Sequence, residues 1–328
     1  MLLKKNKIND AMELIATLGN LYVPGEENGV KKFVQWEKGI AANLDGFNTK
    51  LPPKDMLFPN TEKMYKYNMG KDQHIEEIIN SPVQIVMGIK PCDVRSIECM
   101  DKVFLEKGFV DNFYSRKREN LTIISIGCTE SGETCFCESM GLNPNFAPGA
   151  DLMMNDFKDA YFLEALTEKG EKIINAIAEL LEEGGSREEN THCSLSTNMT
   201  EDFPEKLKGM FDHEIWDEVA NACVGCATCT YVCPTCYCFD IGSDNHGAEG
   251  TKFRCWDSCM FSDYARMAGG HDPRPSKKER VRNRYMHKLS YYNERYGMNL
   301  CVGCGRCVAS CPSSMDITDF INKAQEVK

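Results

Sequence analysis

Two stretches of the chain carry four cysteines each, with the same spacing in both. The cysteines of the first stretch are Cys223, Cys226, Cys229 and Cys233, and those of the second are Cys301, Cys304, Cys307 and Cys311. A proline follows the fourth cysteine in both, so each stretch reads C-x2-C-x2-C-x3-C-P. The first three cysteines share a tight loop and can reach three irons of one cubane. The spacing therefore predicts two [4Fe–4S] clusters.

In two-cluster proteins with this motif, the fourth cysteine of each stretch binds the cluster of the other stretch. We therefore assign one cluster to Cys223, Cys226, Cys229 and Cys311, and the second to Cys301, Cys304, Cys307 and Cys233. The alternative metal is zinc, whose structural sites usually take two cysteine pairs separated by about a dozen residues or more. Three cysteines in seven residues, found twice, favour the cubane over zinc.

Four further cysteines lie in the first half of the chain, at or just beyond the ends of predicted strands. They are Cys92, Cys128, Cys135 and Cys137. Because loops at strand ends are where α/β proteins build their sites, these four predict a third cubane. The alternative is that some of them are small buried side chains, as free cysteine often is. We expect Cys99 to pack within its helix, and the spacing gives Cys193 no partner.

Four more cysteines, Cys236, Cys238, Cys255 and Cys259, could together form another metal site, although their spacing matches no known motif.

The segment 274–295 contains eight lysines and arginines against two glutamates. Since a cluster with four thiolates is anionic, these cations could stabilise it and raise its potential. A docking face for an acidic partner and a solvated helix face are the other two interpretations.

The elements that must position these cysteines fall into two regions. An apolar strand over 83–89, a helix from Pro91, a second strand over 121–126 and a helix over 160–183 predict an α/β domain at 1–200. A helix over 211–221 leads into a second domain at 201–328, which we expect to be mainly helical. The 67 residues between Cys233 and Cys301 carry helix-like segments at 258–268 and 276–296. The predicted fold class is therefore α+β, and the second part resembles the α-helical ferredoxin module of multisubunit oxidoreductases.

The composition excludes several classes of protein. A net charge of −11 argues against nucleic acid as the main partner, because phosphate binding needs clustered cations. No apolar run approaches the roughly 20 residues of a membrane span, so we expect no membrane association. Eighteen cysteines without a signal peptide indicate a reducing, cytoplasmic setting. No G-x-G-x-x-G, P-loop or nucleophile elbow is present, which predicts that electrons enter or leave through another subunit.

Several segments resemble a known family, the A subunit of anaerobic sulfite reductases, and more distantly the β subunit of cytoplasmic NiFe sulfhydrogenases. The resemblance covers the chain from about residue 80 to its end and lies in residues 91–93, 135–141, 233–236, 256–259, 267–271, 284–288 and 301–307. Such subunits relay electrons and have no complete active site of their own. The cysteines of both motifs, and those at 92, 128, 135 and 137, fall on family positions.

The resemblance also implies partners. A flavoprotein subunit oxidises NAD(P)H, and a catalytic subunit holds siroheme or the NiFe centre. Sulfite reduction is the preferred interpretation of the resemblance, and hydrogen chemistry is the alternative. A metal-stabilised binding protein or an iron–sulfur redox sensor would be a function of another class.

Overall fold

A computed structural model of the protein describes residues 1–106, 108–187, 189 and 191–327. These residues form twelve strands. In chain order the strands are β1 (Leu2–Lys4), β2 (Asn20–Glu27), β3 (Val30–Gln35), β4 (Thr61–Asn68), β5 (His74–Glu77), β6 (Gln84–Ile89), β7 (Leu121–Ile126), β8 (Leu152–Phe157), β9 (Ala160–Ala165), β10 (Leu181–Glu182), β11 (Phe239–His246) and β12 (Glu249–Trp256). They make an eight-stranded and a four-stranded sheet.

The helices of the described residues cover the large sheet and make up much of the last third of the chain. They are α1 (Ile8–Ala16), α2 (Pro91–Phe104), α3 (Asn112–Glu119), α4 (Glu168–Ala176), α5 (Phe203–Gly209), α6 (Ile215–Ala222), α7 (Thr228–Tyr231), α8 (Lys277–Met286), α9 (Tyr292–Tyr296), α10 (Arg306–Ala309) and α11 (Ile317–Glu326). A π-helical turn over His287–Tyr291 joins α8 to α9, and 3-10 turns cover Lys5–Lys7, Pro53–Met56, Cys137–Met140 and Ala178–Leu180.

The large sheet runs in the order β10-β1-β9-β8-β7-β6-β2-β3. Its four central strands, β2, β6, β7 and β8, are parallel, and the outer strands pair antiparallel. Helices α1 and α4 pack on one face, where Met12 and Ile173 belong to the same buried apolar cluster as Ile124. Helix α2 covers the other face, where Ile97 packs near Ile123. Because both faces are covered, β6 and β7 are nearly continuous runs of apolar residues.

The carboxyl ends of β6 and β7 lie side by side, because the two strands are parallel neighbours. Helix α2 starts two residues after β6, with Pro91 in its first turn, where the missing N–H of proline costs no hydrogen bond. Gly127 and Cys128 directly follow β7. This edge of the sheet therefore carries two of the cysteines predicted to form a third site.

The structure confirms β6, the helix from Pro91, β7 and the helical segment near 276–296. The predicted helix over 160–183 is wrong in its first part, because Ala160–Ala165 is a strand. Lys158, at a φ of 61°, starts a tight turn that folds this strand back on β8. Helical spacing begins only at Glu168. The predicted helix at 211–221 begins later, at Ile215.

The insertion between the two cysteine motifs differs from the predicted set of helices. Residues 258–268 form turns and bends, and the segment before them is the hairpin of β11 and β12. Strand β12 pairs with β4, so the small sheet runs β11-β12-β4-β5 and joins residues from both sides of position 200. Arg254 on β12 is 1% exposed and pairs with Glu62 and Asp111. The region after residue 200 is therefore helical with a long β-hairpin, which the helical periodicity could not reveal.

Candidate iron–sulfur sites

The first site is a cavity lined by the loop between α6 and α7 and by the segment that joins α10 to α11. It brings together the four cysteines predicted for the first cluster, Cys223, Cys226, Cys229 and Cys311. Gly225 and Ala227 hold left-handed φ values of 72° and 62°, which turn the loop tightly enough to direct its cysteines inward. The backbone N of Gly225 lies 3.3 Å from Cys223 Sγ. The apolar side chains of Met260, Val281, Tyr285 and Ile317 complete the wall.

The second site adjoins the first and brings together Cys233, Cys301, Cys304 and Cys307, the set predicted for the second cluster. Helices α7 and α10, which follow the two cysteine loops, pack against each other. Each motif thereby delivers its fourth cysteine to the cavity of the other motif. The structure thus gathers both predicted sets, and their roles as ligands stay a prediction.

Burial is the main influence on three of the four thiols of the second site, whereas a hydrogen bond with Cys236 lowers the pKa of the fourth, Cys233. Burial raises the pKa of the thiols of Cys301, Cys304 and Cys307 above the ordinary value, to about 12 for Cys307. Thiols with so high a pKa are neutral at pH 7 and become thiolates when they bind a metal. No three ligand-type side chains in the described ranges are close enough to hold a single metal ion. The thiols instead line the walls of cavities.

Two buried cations from the basic segment border the second site. Lys288 is 2% exposed and donates to Thr235 Oγ1 at 2.5 Å, and Arg284 is 5% exposed and donates to the carbonyl of Cys229 at 3.0 Å. Burial lowers the pKa of Lys288, but negative charge on Cys233 and Cys236 raises it by a larger amount, so the net shift is upward. Among the described residues, neither cation forms an ion pair with a carboxylate. The donor set thus fits an anionic four-thiolate cluster.

The rest of the basic segment does not face the cavities in this way. Lys278 pairs with Asp217, and Arg282 donates to the carbonyl of Phe211. Lys277 donates to the carbonyl of Cys223, on the outer loop of the first site. The stabilisation of an anionic group therefore concerns Arg284 and Lys288, and a docking face and a solvated helix face stay predictions for the other cations of the segment.

The third site lies at the carboxyl edge of β6 and β7. Its cavity is lined by Cys92, Cys128, Cys135 and Cys137, the four cysteines predicted from the first half of the chain, and by Cys193. Cys193 was missed because it lies 56 residues from Cys137, yet the two sulfurs are 3.3 Å apart. The only sequence signal for Cys193 was its presence in a polar loop.

A buried ion pair joins the second and third sites. Arg306, between Cys304 and Cys307 in the chain, donates from Nη1 and Nη2 to the two carboxylate oxygens of Asp93 at 2.5 and 2.6 Å. Asp93 directly follows Cys92, and both charged side chains are almost completely buried. Gly303 packs so closely that an added Cβ would lie 2.5 Å from the Cα of Cys137. The loop of the second motif is thus fixed against the α/β region.

Of the cysteines considered for an additional metal site, Cys236 and Cys238 have different partners, and that site stays a prediction. Cys236 interacts with Cys233, and Cys238 hydrogen-bonds to Cys259 instead. Cys99 packs in α2 with its sulfur 3.9 Å from Met298 Sδ, which confirms its predicted structural role.

Comparisons with known proteins agree with the cysteine geometry. The family described as "4Fe-4S dicluster domain" matches residues 222–315. Sulfhydrogenase 2 subunit beta of Pyrococcus furiosus is 28% identical over 320 residues, which cover 94% of this chain and 93% of that protein. No solved structure gave a significant match. None of the helices in the described ranges is both long and apolar enough to span a membrane.

These matches favour the sulfhydrogenase resemblance over the preferred resemblance to anaerobic sulfite reductases. Residues 222–315 match the 4Fe-4S dicluster domain family, and the chain is similar over nearly its whole length to a sulfhydrogenase β subunit.

Proposed function

We propose that this chain is the iron–sulfur electron-transfer subunit of a hydrogenase-type complex, with a role like that of a sulfhydrogenase β subunit. One observation carries the proposal: the three cysteine-lined cavities form a continuous row with shared walls. Cys307 lines both the first and the second cavity, and Cys304 lines both the second and the third. A row of adjoining cavities suits stepwise transfer of electrons from one cavity to the next. The predicted sets, with Cys92, Cys128, Cys135 and Cys137 in the third site, are the proposed ligands.

A [4Fe–4S] cluster bound in each cavity would accept and release one electron at a time. The residues of the chain would hold each cluster with thiolates and exclude water with apolar side chains, and Arg284 and Lys288 would compensate the charge of the second cluster. The row also meets the surface at both ends. Cys226 and Val224 of the first site are exposed, and Cys135 of the third site lines an open cleft. These two ends are the proposed points of electron entry and exit.

The proposed partners are a flavoprotein subunit that oxidises NAD(P)H and a catalytic subunit that reduces the final acceptor. The relative is named as one subunit of a sulfhydrogenase, which supports a multisubunit setting. The proposed division of the chain is an α/β part at 1–200 and a ferredoxin-type part at 201–328. Sulfite reduction remains the alternative activity of the complex and is supported by the sequence motifs quoted above.

The test begins with protein purified in the absence of oxygen together with its partners. We expect roughly eight irons per chain for two clusters or about twelve for three, with equal sulfide. NAD(P)H-driven hydrogen evolution by the complex would support the proposal, and NAD(P)H-driven sulfite reduction would favour the alternative. Zinc in place of iron would refute both and favour a metal-stabilised binding protein.

The Cys226→Ala variant tests whether the clusters carry the electrons. We expect it to lose iron from the first site and to slow NAD(P)H-driven turnover strongly. Cys255→Ala is the matched control, because Cys255 lines none of the three cavities and should keep both iron and turnover. Full turnover by a Cys226→Ala complex that has lost the cluster would contradict the relay function.

A further inference from the structure

The third cavity contains more cysteines than a cubane uses. A [4Fe–4S] cluster takes four cysteine thiolates, whereas six thiols line this cavity, one of which, Cys304, also lines the second cavity. Another of the six, Cys193, comes from a segment of the chain that sequence spacing does not connect with the site. Its sulfur is 3.3 Å from that of Cys137, so the two thiols occupy the same side of the cavity.

Cys193 lies in a strap, residues 191–197, that crosses the third site. Hydrogen bonds tie the strap to each stretch that carries the cysteines at 128, 135 and 137. These bonds run from Thr191 Oγ1 to the carbonyl of Cys128 at 2.5 Å, from Cys193 N to Glu138 Oε2 at 2.5 Å, from Ser194 N to Ser131 Oγ at 3.0 Å, from Leu195 N to the carbonyl of Cys135 at 3.0 Å, and from Thr197 N to Ser139 Oγ at 2.9 Å. The strap is therefore fixed along its length, not only at one point.

Among the described residues of the strap, Cys193 alone lines the cavity. The bond from its own backbone N to Glu138 sets the position from which its side chain enters the site. Cys137 directly precedes Glu138, so the same short turn positions both sulfurs. Such an arrangement presents a thiol to the cavity from outside the loop formed by residues 128–137.

We propose that Cys193 is a ligand of the third iron–sulfur cluster. The strap supplies it, and the cluster uses Cys193 with Cys92, Cys128 and Cys135, because a cubane has four irons to be ligated and Cys304 belongs to the set proposed for the second cluster. Two sulfurs 3.3 Å apart point to one corner, since thiolates on different irons diverge from the cubane. The inference rests on the third cluster of the proposed function and gives Cys193 the corner that was proposed there for Cys137.

The experiment uses the full chain with Cys193→Ala and, because it keeps the size of the side chain, Cys193→Ser. Iron and sulfide are measured on protein purified without oxygen, and the reduced protein is examined by electron paramagnetic resonance. We expect Cys193→Ala to fall from about twelve irons to about eight, a loss of one third, with the signals of the other two clusters unchanged. We expect Cys193→Ser to lose the same iron or to change the signal of the third cluster. The retained signals report that the variants have folded.

Cys99→Ala is the matched control, because Cys99 is a buried thiol near the third site that does not line its cavity. It should keep all of its iron. Full iron and an unchanged spectrum in both Cys193 variants would overturn the inference while leaving the proposed electron relay intact. Only eight irons in the wild-type chain would also overturn it, and the relay would then rest on the first two sites.

Discussion

The ion pair between Asp93 and Arg306 gives the sharpest prediction about how the α/β region holds the cluster-binding loops. The perturbation is Asp93→Asn, which keeps the shape of the side chain but removes its charge. Arg306 would keep its hydrogen bond from Nε to the carbonyl of Thr49 at 2.7 Å and lose its carboxylate. A buried guanidinium would then lack its counter-charge.

The expected loss in the free energy of unfolding follows from the burial of the ion pair. Removing one partner of a buried ion pair typically costs about 3–5 kcal/mol. We expect the lower end, about 3 kcal/mol, because thiolates of Cys92 and Cys304 also lie near Arg306 and compensate part of its charge. At about 2 °C for each kcal/mol in a chain of this size, the unfolding midpoint of the loaded protein should fall by roughly 6 °C.

The assay is thermal unfolding of the cluster-loaded chain without oxygen, followed by loss of the cluster absorbance. Glu218→Gln is the control, because the Glu218–Lys323 pair is equally short at 2.5 Å but 63% and 57% exposed. It should cost less than about 1 kcal/mol. The double variant Asp93→Leu with Arg306→Met should be more stable than Asp93→Asn, since no buried charge remains. Equal midpoints for Asp93→Asn and Glu218→Gln would refute the reasoning.

Three further predictions concern the second site and its contact with the third. Lys288→Met should lower the reduction potential of the second cluster by roughly 90 mV in a redox titration, taking about 2 kcal/mol for a charge about 8 Å away at an effective dielectric of about 20. Burial lowers the pKa of His287 to about 4, so the folded state binds fewer protons than the unfolded state between about pH 6.5 and 4. The free energy of unfolding should therefore fall by up to about 3 kcal/mol as the pH drops through that range, and His287→Gln should remove this slope. Gly303→Ala should displace the second cysteine loop from Cys137 and reduce the iron content, because Gly303 has a φ of 62° and no room for a Cβ.

Two of these predictions have matched control variants. Lys278→Met removes a cation that pairs with Asp217 on the outer side of α8, and solvent screening should leave the cluster potentials unchanged. An unaltered pH slope in His287→Gln would assign that slope to another group. Gly297→Ala separates the clash from the strain, because Gly297 has a φ of 73° but no atom within 4 Å of its Cβ position. Similar iron loss in both glycine variants would contradict the role of the close contact.

Features that depend on neighbouring residues were predictable from the sequence. The C-x2-C-x2-C-x3-C-P spacing identified the two sets of cysteines that the structure gathers in the first and second cavities. Apolar runs and a proline at the first helical turn identified β6, α2 and β7, because periodicity and capping act within one element. The third site could be located for the same reason, since its cysteines follow the ends of parallel strands.

Contacts between distant segments were decided by the tertiary structure alone. The pairing of β12 with β4, the approach of Cys193 to Cys137 and the ion pair of Arg306 with Asp93 join residues separated by 56 to more than 200 positions. The charges of segment 274–295 likewise did not reveal which cations turn inward. Local spacing determines which cysteines one loop can offer to a cluster, because all atoms of that loop belong to one short segment. Which segments meet is determined by packing across the whole chain, and that packing leaves no period in the sequence.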